Sequence, residues 1–178
     1  MTAGEITQAI LRDRWRRNFC LPRFTPVGWW EADVFELTDA GYWREYEIKT
    51  SRADFRNDAK KRKVGRVERN KHDLLAARDV SGPCQFWFVC PAGLIPVAEV
   101  PEWAGLIEMS DTGRGHKKYR VRDTVVKAAP RLHQEKCRPV VVEKARECCY
   151  WRLHAAWNAE PGLAGSATGV HEPADYEI

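Results

Sequence analysis

The feature that most constrains the fold is a pair of strand-like segments separated by a four-residue turn. Residues 29–37 (WWEADVFEL) are rich in Trp, Val and Phe, which favour a pleated, half-buried surface. Residues 38–41 (TDAG) have the composition of a hairpin turn, and residues 42–50 (YWREYEIKT) alternate with a period of two. The sequence therefore predicts a β-hairpin, with Glu47 and Lys49 on one face of its second strand.

The segments on either side of the hairpin predict a sheet covered by helices. Residues 2–19 have apolar side chains at helical spacing and begin with a T-x-x-E capping box, and residues 21–28 form a turn-rich connection. Residues 85–90 (QFWFVC) are a nearly continuous apolar run, as expected of a strand buried on both faces. Residues 139–157 predict a closing amphipathic helix. The order of these segments predicts an α/β fold with a mixed β-sheet flanked by helices.

The length of 178 residues suits a single domain, which we expect to span residues 1–157. Residues 158–178 contain four acids and no Lys or Arg, and we expect them to form a disordered acidic tail. No apolar run approaches the ~20 residues of a membrane span, which argues against a membrane partner. The charged N-terminus is unlike a secretory signal, and the six cysteines form no CxxC pair, so we expect a cytoplasmic protein of a bacterial or phage-infected cell.

Positive charge is concentrated just after the hairpin. Residues 44–78 hold twelve Lys or Arg against six acids, in a chain whose net charge is +4. Such a segment fits a polyanion such as nucleic acid, and a solvated helix face is the alternative. The residues that we expect to contact phosphates are Arg52, Arg56, Lys60, Lys61, Arg62, Lys63, Arg66, Arg69 and Lys71.

The candidate chemistry lies in the hairpin itself. If its strands pair through the turn, Asp33 and Glu47 lie side by side on one face, where facing carboxylates repel each other. A divalent cation resolves that conflict, because Mg²⁺ is held by one or two carboxylates with waters and phosphate oxygens. The Ile48 carbonyl could add an oxygen ligand, and Lys49 could orient or deprotonate a water or stabilise a charged phosphate. The alternative is a solvated edge strand with Lys49 as an ion-pair partner.

An aspartate, a hairpin and then apolar-x-E-x-K on a strand resemble the core of the PD-(D/E)XK nuclease superfamily. Residues 46–55 (YEIKTSRADF) look like the "VEIKVSRADF" signature of the MmcB-like DNA-repair nucleases and their phage-encoded relatives. Residues 86–96 and 100–107 are similar to the "FYFAVP-G-IP" and "P-AGLI" segments of the same group. The resemblance covers residues 29–107 in order, and residues 56–71 depart from it by a longer basic run.

The resemblance implies a restriction-endonuclease-like fold and Mg²⁺- or Mn²⁺-dependent hydrolysis of DNA, single- or double-stranded, in repair, recombination or phage DNA metabolism. Many members of the superfamily also use a glutamate on the first helix. The candidate catalytic residues are Asp33, Glu47 and Lys49, and the candidate metal ligands are Asp33, Glu47, the Ile48 carbonyl and either Glu5 or Glu31. The alternatives are a nucleic-acid-binding module on the same fold that does not cleave, and a nuclease that acts on RNA.

Overall fold

The computed structural model describes residues 1–59, 62–63, 69–113 and 121–159. It confirms the predicted class, an α/β fold with a mixed β-sheet flanked by helices. In chain order the elements are α1 (Ala3–Arg14), β1 (Phe19–Phe24), β2 (Ala32–Leu37), β3 (Trp43–Ile48), α2 (Arg52–Asp58), β4 (Arg62–Lys63), β5 (Arg69–Asn70), α3 (Lys71–Ala76), β6 (Gln85–Pro91), a 3₁₀ helix (Val97–Glu99), β7 (Ala104–Asp111), β8 (Val121–Lys127) and α4 (Pro139–Ala159).

Six strands form one sheet in the spatial order β1-β2-β3-β6-β7-β8, and β4 pairs with β5 in a separate two-stranded ribbon. Strands β1, β2 and β3 are antiparallel neighbours, β3, β6 and β7 run parallel, and β8 returns antiparallel to β7. The parallel pairings thus occupy the centre of the sheet. Because parallel neighbours need a long connection, the chain between β3 and β6 forms a crossover that carries α2, β4, β5 and α3.

The predicted hairpin is confirmed as β2 and β3. The Thr38 amide donates to the Tyr42 carbonyl at 2.8 Å, and the Gly41 amide donates to the Thr38 carbonyl at 2.8 Å. Gly41 has a φ of +83°, a left-handed conformation that glycine adopts without steric cost. This turn sets the register in which Val34 lies opposite Tyr46.

The sheet separates two apolar cores. On one face α1 contributes Ile6, Ala9 and Ile10 to a smaller cluster. The opposite face carries the larger core, to which α4 contributes Val141 and Ala145. The strand and loop side chains of this larger core include Phe24, Trp29, Phe35, Trp43, Phe86, Phe88 and Leu106. The prediction that β6 is buried on both faces is confirmed, because Phe86 and Phe88 belong to the larger core and Val89 to the smaller one.

The predicted extent of the first helix is wrong. Helix α1 ends at Arg14, and the segment expected to be helix and then turn contains strand β1. Leu21 and Phe24 of β1 are buried, whereas Trp15, placed by helical spacing on the apolar stripe, is 62% exposed. β1 is an edge strand, a position that tolerates Pro22, which has no amide hydrogen for the ladder. Pairing with β2 thus overrides the local helical pattern.

The predicted start of the C-terminal tail also differs from the structure. Helix α4 continues through Ala159, so the expectation of a disordered tail from residue 158 is wrong for residues 158 and 159. The remaining residues of that expected tail, 160–178, lie outside the described residues. Within the described part of the chain, no helix combines the length and the hydropathy that crossing a membrane requires.

Candidate active site

Asp33 lies where strands β2 and β3 stop pairing through their backbones. The ladder between them runs from Leu37–Trp43 to Val34–Tyr46. One step further, the Ile48 amide donates to Asp33 Oδ2 at 2.7 Å, so the carboxylate takes the place of a backbone acceptor. Asp33 is half-buried and lines a cleft of about 360 Å³ with Ile48. We call this the Asp33 cleft; its other lining residues are Ala3, Gly4, Thr7, Gln8, Pro22 and Arg23.

A row of alternating charges is buried on the sheet face that carries Glu47. Lys71 Nζ lies 2.5 Å from Glu45 Oε1 and 2.9 Å from Glu47 Oε2. Lys49 Nζ lies 2.9 Å from Glu47 Oε1 and 2.6 Å from Asp58 Oδ1. We call these five residues the buried charge chain. Each of them is at most 2% exposed, and buried charges of this kind are tolerated only when they are paired.

A ring nitrogen contacts the carboxylate at each end of the buried charge chain. Trp29 Nε1 donates to Glu45 Oε2 at 2.7 Å. At the other end, His72 Nε2 lies 2.7 Å from Asp58 Oδ2. The His72 ring also packs edge-on against Trp103, with the ring centroids 4.9 Å apart. The Glu45 carboxylate is therefore held by a ring of the larger core, and the Asp58 carboxylate by a ring that packs against that core.

The electrostatics of the chain follow from this enclosure. Burial raises the pKa of Glu45 to about 7, against the opposing effect of the neighbouring Lys71 cation. Burial alone would lower the pKa of Lys71, but the carboxylates of Glu45 and Glu47 raise it above its ordinary range. Lys71 is therefore a permanent internal cation between two glutamates.

Three elements bring the charges together. The two-residue period of β3 places Glu45 and Glu47, and then Lys49, on one face. Helix α2 supplies Asp58 near its end, and α3 supplies Lys71 and His72 in its first turn. The start of α3 is fixed by Asn70, whose side-chain oxygen accepts from the amides of the second and third helical residues, at 2.8 Å and 3.4 Å.

The structure brings the three predicted catalytic residues to adjacent strand ends. The ladder of β2 and β3 ends at Val34 opposite Tyr46, so Asp33 and Glu47 are the next residue of each strand, and Lys49 contacts Glu47 directly. Glu5 instead forms the predicted capping box with Thr2: its carboxylate accepts from the Thr2 amide at 2.8 Å. Glu31 lies 3.9 Å from Arg23 in an exposed ion pair. Neither Glu5 nor Glu31 is among the described residues that line the Asp33 cleft.

One of the predicted phosphate contacts is wrong. Lys71 has no exposed surface, and its ammonium group is held by Glu45 and Glu47. A phosphate cannot reach it without opening the core, so Lys71 belongs to the buried charge chain and not to a nucleic-acid surface. The sequence pattern misleads at this position because Lys71 stands at the end of a run of basic residues.

The remaining basic residues divide into two groups. Arg52, Arg56 and Arg69 are exposed, and both Arg52 and Arg56 pair with Glu99, the second at 3.8 Å. Lys60, Lys61 and Arg66 lie outside the described residues, as do the side chains of Arg62 and Lys63. The prediction that these residues contact phosphates stays a prediction.

Sequence reasoning missed Glu45, Asp58 and His72 as parts of one network, and Gln8 as a cleft residue. A signal for the network was present. Three charged residues alternate along the β3 segment, and they are buried if a further layer of the fold covers that face of the sheet. Burial of Glu45, Glu47 and Lys49 therefore demands a further cation from outside the strand, which Lys71 supplies.

The donors that a hard divalent cation would use are only partly present at the Asp33 cleft. Asp33 and Ile48 line it, whereas Glu47 is 2% exposed and is not among its lining residues. Carboxylate and backbone carbonyl oxygens are the ligand types that Mg²⁺ prefers. In the described part of the chain, no group of three or more His, Cys, Asp or Glu side chains could hold a metal ion. A cation here would therefore complete its shell with water, as Mg²⁺ commonly does. It would share Glu47 with the lysines that now contact both of its oxygens.

Comparison with known proteins establishes the fold and no more. No protein-family model matches this chain, and no curated protein matches it. The chain is similar to a solved structure of a protein of unknown function from Silicibacter pomeroyi, with a TM-score of 0.61 and 21% sequence identity. That similarity covers 97% of this chain and 99% of the other. The two chains therefore share a fold over nearly their whole length.

Proposed function

We propose that this chain is a metal-dependent nuclease of the PD-(D/E)XK type that hydrolyses phosphodiester bonds of DNA at the Asp33 cleft. The observation that carries the proposal is that Asp33 accepts from the Ile48 amide where β2 and β3 stop pairing, while the residue before Ile48, Glu47, contacts Lys49. Two carboxylates at such a point offer oxygen ligands to a cation, and the lysine compensates the charge of one of them. DNA repair, recombination or phage DNA metabolism is the setting that the sequence resemblance suggests.

Each residue has a distinct part in the proposed reaction. Asp33, Glu47 and the Ile48 carbonyl would hold Mg²⁺ or Mn²⁺. The bound metal would polarise the scissile phosphate and activate a water. Lys49 is 1% exposed and its ammonium group is held by Glu47 and by Asp58 at 2.6 Å, so its part is to fix and compensate the Glu47 carboxylate, not to contact the phosphate. His72 holds the other oxygen of Asp58 and so fixes that carboxylate.

The test is cleavage of labelled DNA by wild type and by Asp33→Asn, in Mg²⁺, Mn²⁺ or EDTA. The substitution keeps an oxygen acceptor for the Ile48 amide while removing the charge that a metal needs. We expect metal-dependent cleavage that falls by roughly 10²-fold or more in the variant, the scale of losing one group that stabilises a transition state. Calorimetric titration with Mn²⁺ should show binding to wild type and weaker binding to the variant.

The matched control is Asp39→Asn, which removes the same charge from the exposed turn of the same hairpin. This variant should cleave like wild type. Equal cleavage by Asp33→Asn and wild type, or no cleavage of DNA in any metal, would contradict the proposal. Cleavage of RNA and not of DNA would support the metal-dependent reaction and contradict DNA as the substrate.

A second candidate is a nucleic-acid-binding module that does not cleave. The observation in its favour is that Glu47 and Lys49 are 2% and 1% exposed, and that lysines hold both oxygens of Glu47. Lys71 then supplies the positive charge that a metal would bring. This candidate predicts DNA binding that is unchanged by EDTA and by Asp33→Asn, with no cleavage in the same assay.

A further inference from the structure

A second cleft, rich in arginine, lies at the opposite end of α1 from the Asp33 cleft. It has a volume of about 630 Å³ and lies where α1 gives way to β1, beside β3. Asp13 and Asn18 contribute to its wall, and the rest of the lining is arginine. We call it the arginine cleft, after its residues Arg12, Arg14, Arg16, Arg17 and Arg44.

The inner arginines of the cleft are neutralised by nearby acids. Arg12 Nε lies 2.7 Å from the Asp13 carboxylate. Arg14 pairs with a β8 aspartate at 3.1 Å, and Arg44 with the buried Glu36 at 3.4 Å. Three of the five guanidinium groups thus have acidic partners, which leaves the charge of the cleft to the outer pair.

Arg16 and Arg17 form that outer pair. Both are exposed, and no carboxylate of the described residues lies within 4.0 Å of either. Their charges are therefore uncompensated locally and face solvent at the mouth of the cleft. Two adjacent guanidinium groups of this kind match the oxygens of phosphate groups, which arginine binds with paired hydrogen bonds.

Helix electrostatics account for only part of this arrangement. Basic residues in the last turn of a helix compensate its dipole, and Arg12 and Arg14 occupy that turn of α1. Arg16 and Arg17 lie beyond the helix, and Arg44 comes from β3. The dipole effect falls off within the last turn, so it does not explain these three residues.

Two buried donors in the cleft also lack partners. The Nε groups of Arg14 and Arg44 are buried without a hydrogen-bond acceptor among the described residues. A buried donor that is left unpaired costs free energy, but a ligand in the cleft cannot reach a buried atom. The cleft side chains that an anion can reach are therefore the exposed Arg16 and Arg17.

One face of α1 connects the two clefts. Gly4, Gln8 and Arg12 follow one another at intervals of four residues, which places them in line along the helix. Gly4 and Gln8 line the Asp33 cleft, and Arg12 lines the arginine cleft. A twelve-residue helix is about 18 Å long, which matches about five nucleotides at 3.4 Å each.

We propose that the arginine cleft binds the sugar-phosphate backbone of DNA about five nucleotides from Asp33, an inference that rests on the proposed function for its substrate. Arg16 and Arg17 contact the phosphates directly. The DNA then lies along the exposed face of α1, and the arginine cleft holds it in register with the Asp33 cleft. This surface is separate from the basic segment that follows β3.

The test measures binding and not cleavage. The affinity of wild type and of the double variant Arg16→Ala/Arg17→Ala for a labelled duplex longer than this separation is measured in EDTA at several salt concentrations. We expect weaker binding by the variant, and a plot of log affinity against log salt that is flatter by about 1 for each phosphate that the variant no longer binds. Both residues are exposed, so circular dichroism should show an unchanged fold.

The matched control is Lys144→Ala/Arg146→Ala, which removes two positive charges from the exposed side of α4. It should leave the salt slope as in wild type. Equal slopes for the two double variants, or no DNA binding by wild type, would overturn the inference. A selective loss of affinity in Arg16→Ala/Arg17→Ala supports it even if wild type does not cleave, and normal cleavage with equal slopes keeps the nuclease while removing the arginine cleft from its substrate-binding surface.

Discussion

Lys71 is the residue whose removal should cost the protein most stability. Its ammonium group separates the Glu45 and Glu47 carboxylates, all three side chains being buried. We expect Lys71→Met to lower the free energy of unfolding by about 3–5 kcal/mol, because it leaves two buried carboxylates facing each other. Urea denaturation followed by circular dichroism measures this loss.

Two further variants test whether the loss of stability comes from the buried charge of Lys71. Lys144→Met, on the exposed side of α4, should change stability by less than about 0.5 kcal/mol. The double variant Glu45→Gln/Lys71→Met should recover part of the stability, because it removes the carboxylate that has lost its lysine partner, whereas Glu47 keeps Lys49. If the double variant were no more stable than Lys71→Met, charge compensation would not be the role of this lysine.

At the residue scale, the sequence predicts well what is close along the chain. Asp33, Glu47 and Lys49 lie in one hairpin, so the strand period and a four-residue turn suffice to place them together. Lys71 joins the same site from the far end of a crossover, and nothing local reveals that. It ends a basic run in the sequence, and only the pairing of β3 with β6 brings α3 across the charged face.

At the scale of elements, β7 shows a packing constraint at Gly105. A Cβ atom added there would lie 2.4 Å from the Trp87 ring and 2.6 Å from the backbone nitrogen of Ala129. Backbone cannot shift cheaply inside a paired strand, so we expect Gly105→Ala to destabilise the protein by about 1–3 kcal/mol. Thermal unfolding followed by calorimetry is the measurement.

Gly4 in α1 is the matched control, because the nearest atom to an added Cβ there is 4.0 Å away. Gly4→Ala should be neutral or stabilising by up to about 1 kcal/mol, since alanine is the better helix former. A similar destabilisation by both substitutions would show that backbone freedom, and not the contact with Trp87, is what Gly105 provides.

Elements were predictable where local rules and tertiary pairing agree. The hairpin and α4 are marked by their periodicity, and β6 by a nearly continuous apolar run. Strand β1 has no such local signal, because Phe19 falls at helical spacing from Trp15 and the prolines that follow indicate a turn. Its strand character comes from β2, whose unpaired edge it covers.

At the scale of the whole molecule, the sheet divides the interior into two cores. Ile10 belongs to the cluster under α1, and Leu75 to the larger core on the other face. We expect Ile10→Val to cost about 0.5–1.5 kcal/mol and Leu75→Ala about 2–5 kcal/mol. Because the cores share no side chains, the double variant should show the sum within about 0.5 kcal/mol in urea denaturation. A coupling above about 1 kcal/mol would mean that the sheet transmits packing changes between its faces.

The parallel centre of the sheet also has a consequence for the order in which the molecule assembles. During synthesis the N-terminal half of the chain appears first, so the hairpin can form while the crossover is still being made. At that stage β3 presents Glu45, Glu47 and Lys49 without the Asp58 and Lys71 that later surround them. Closing the long crossover then costs chain entropy, and the chain bears this cost before β6 pairs with β3. The growing chain therefore passes through an interval in which the charged face of β3 is open to solvent. That face is covered when α3 brings Lys71 across it, and the free edge of β3 is paired by β6.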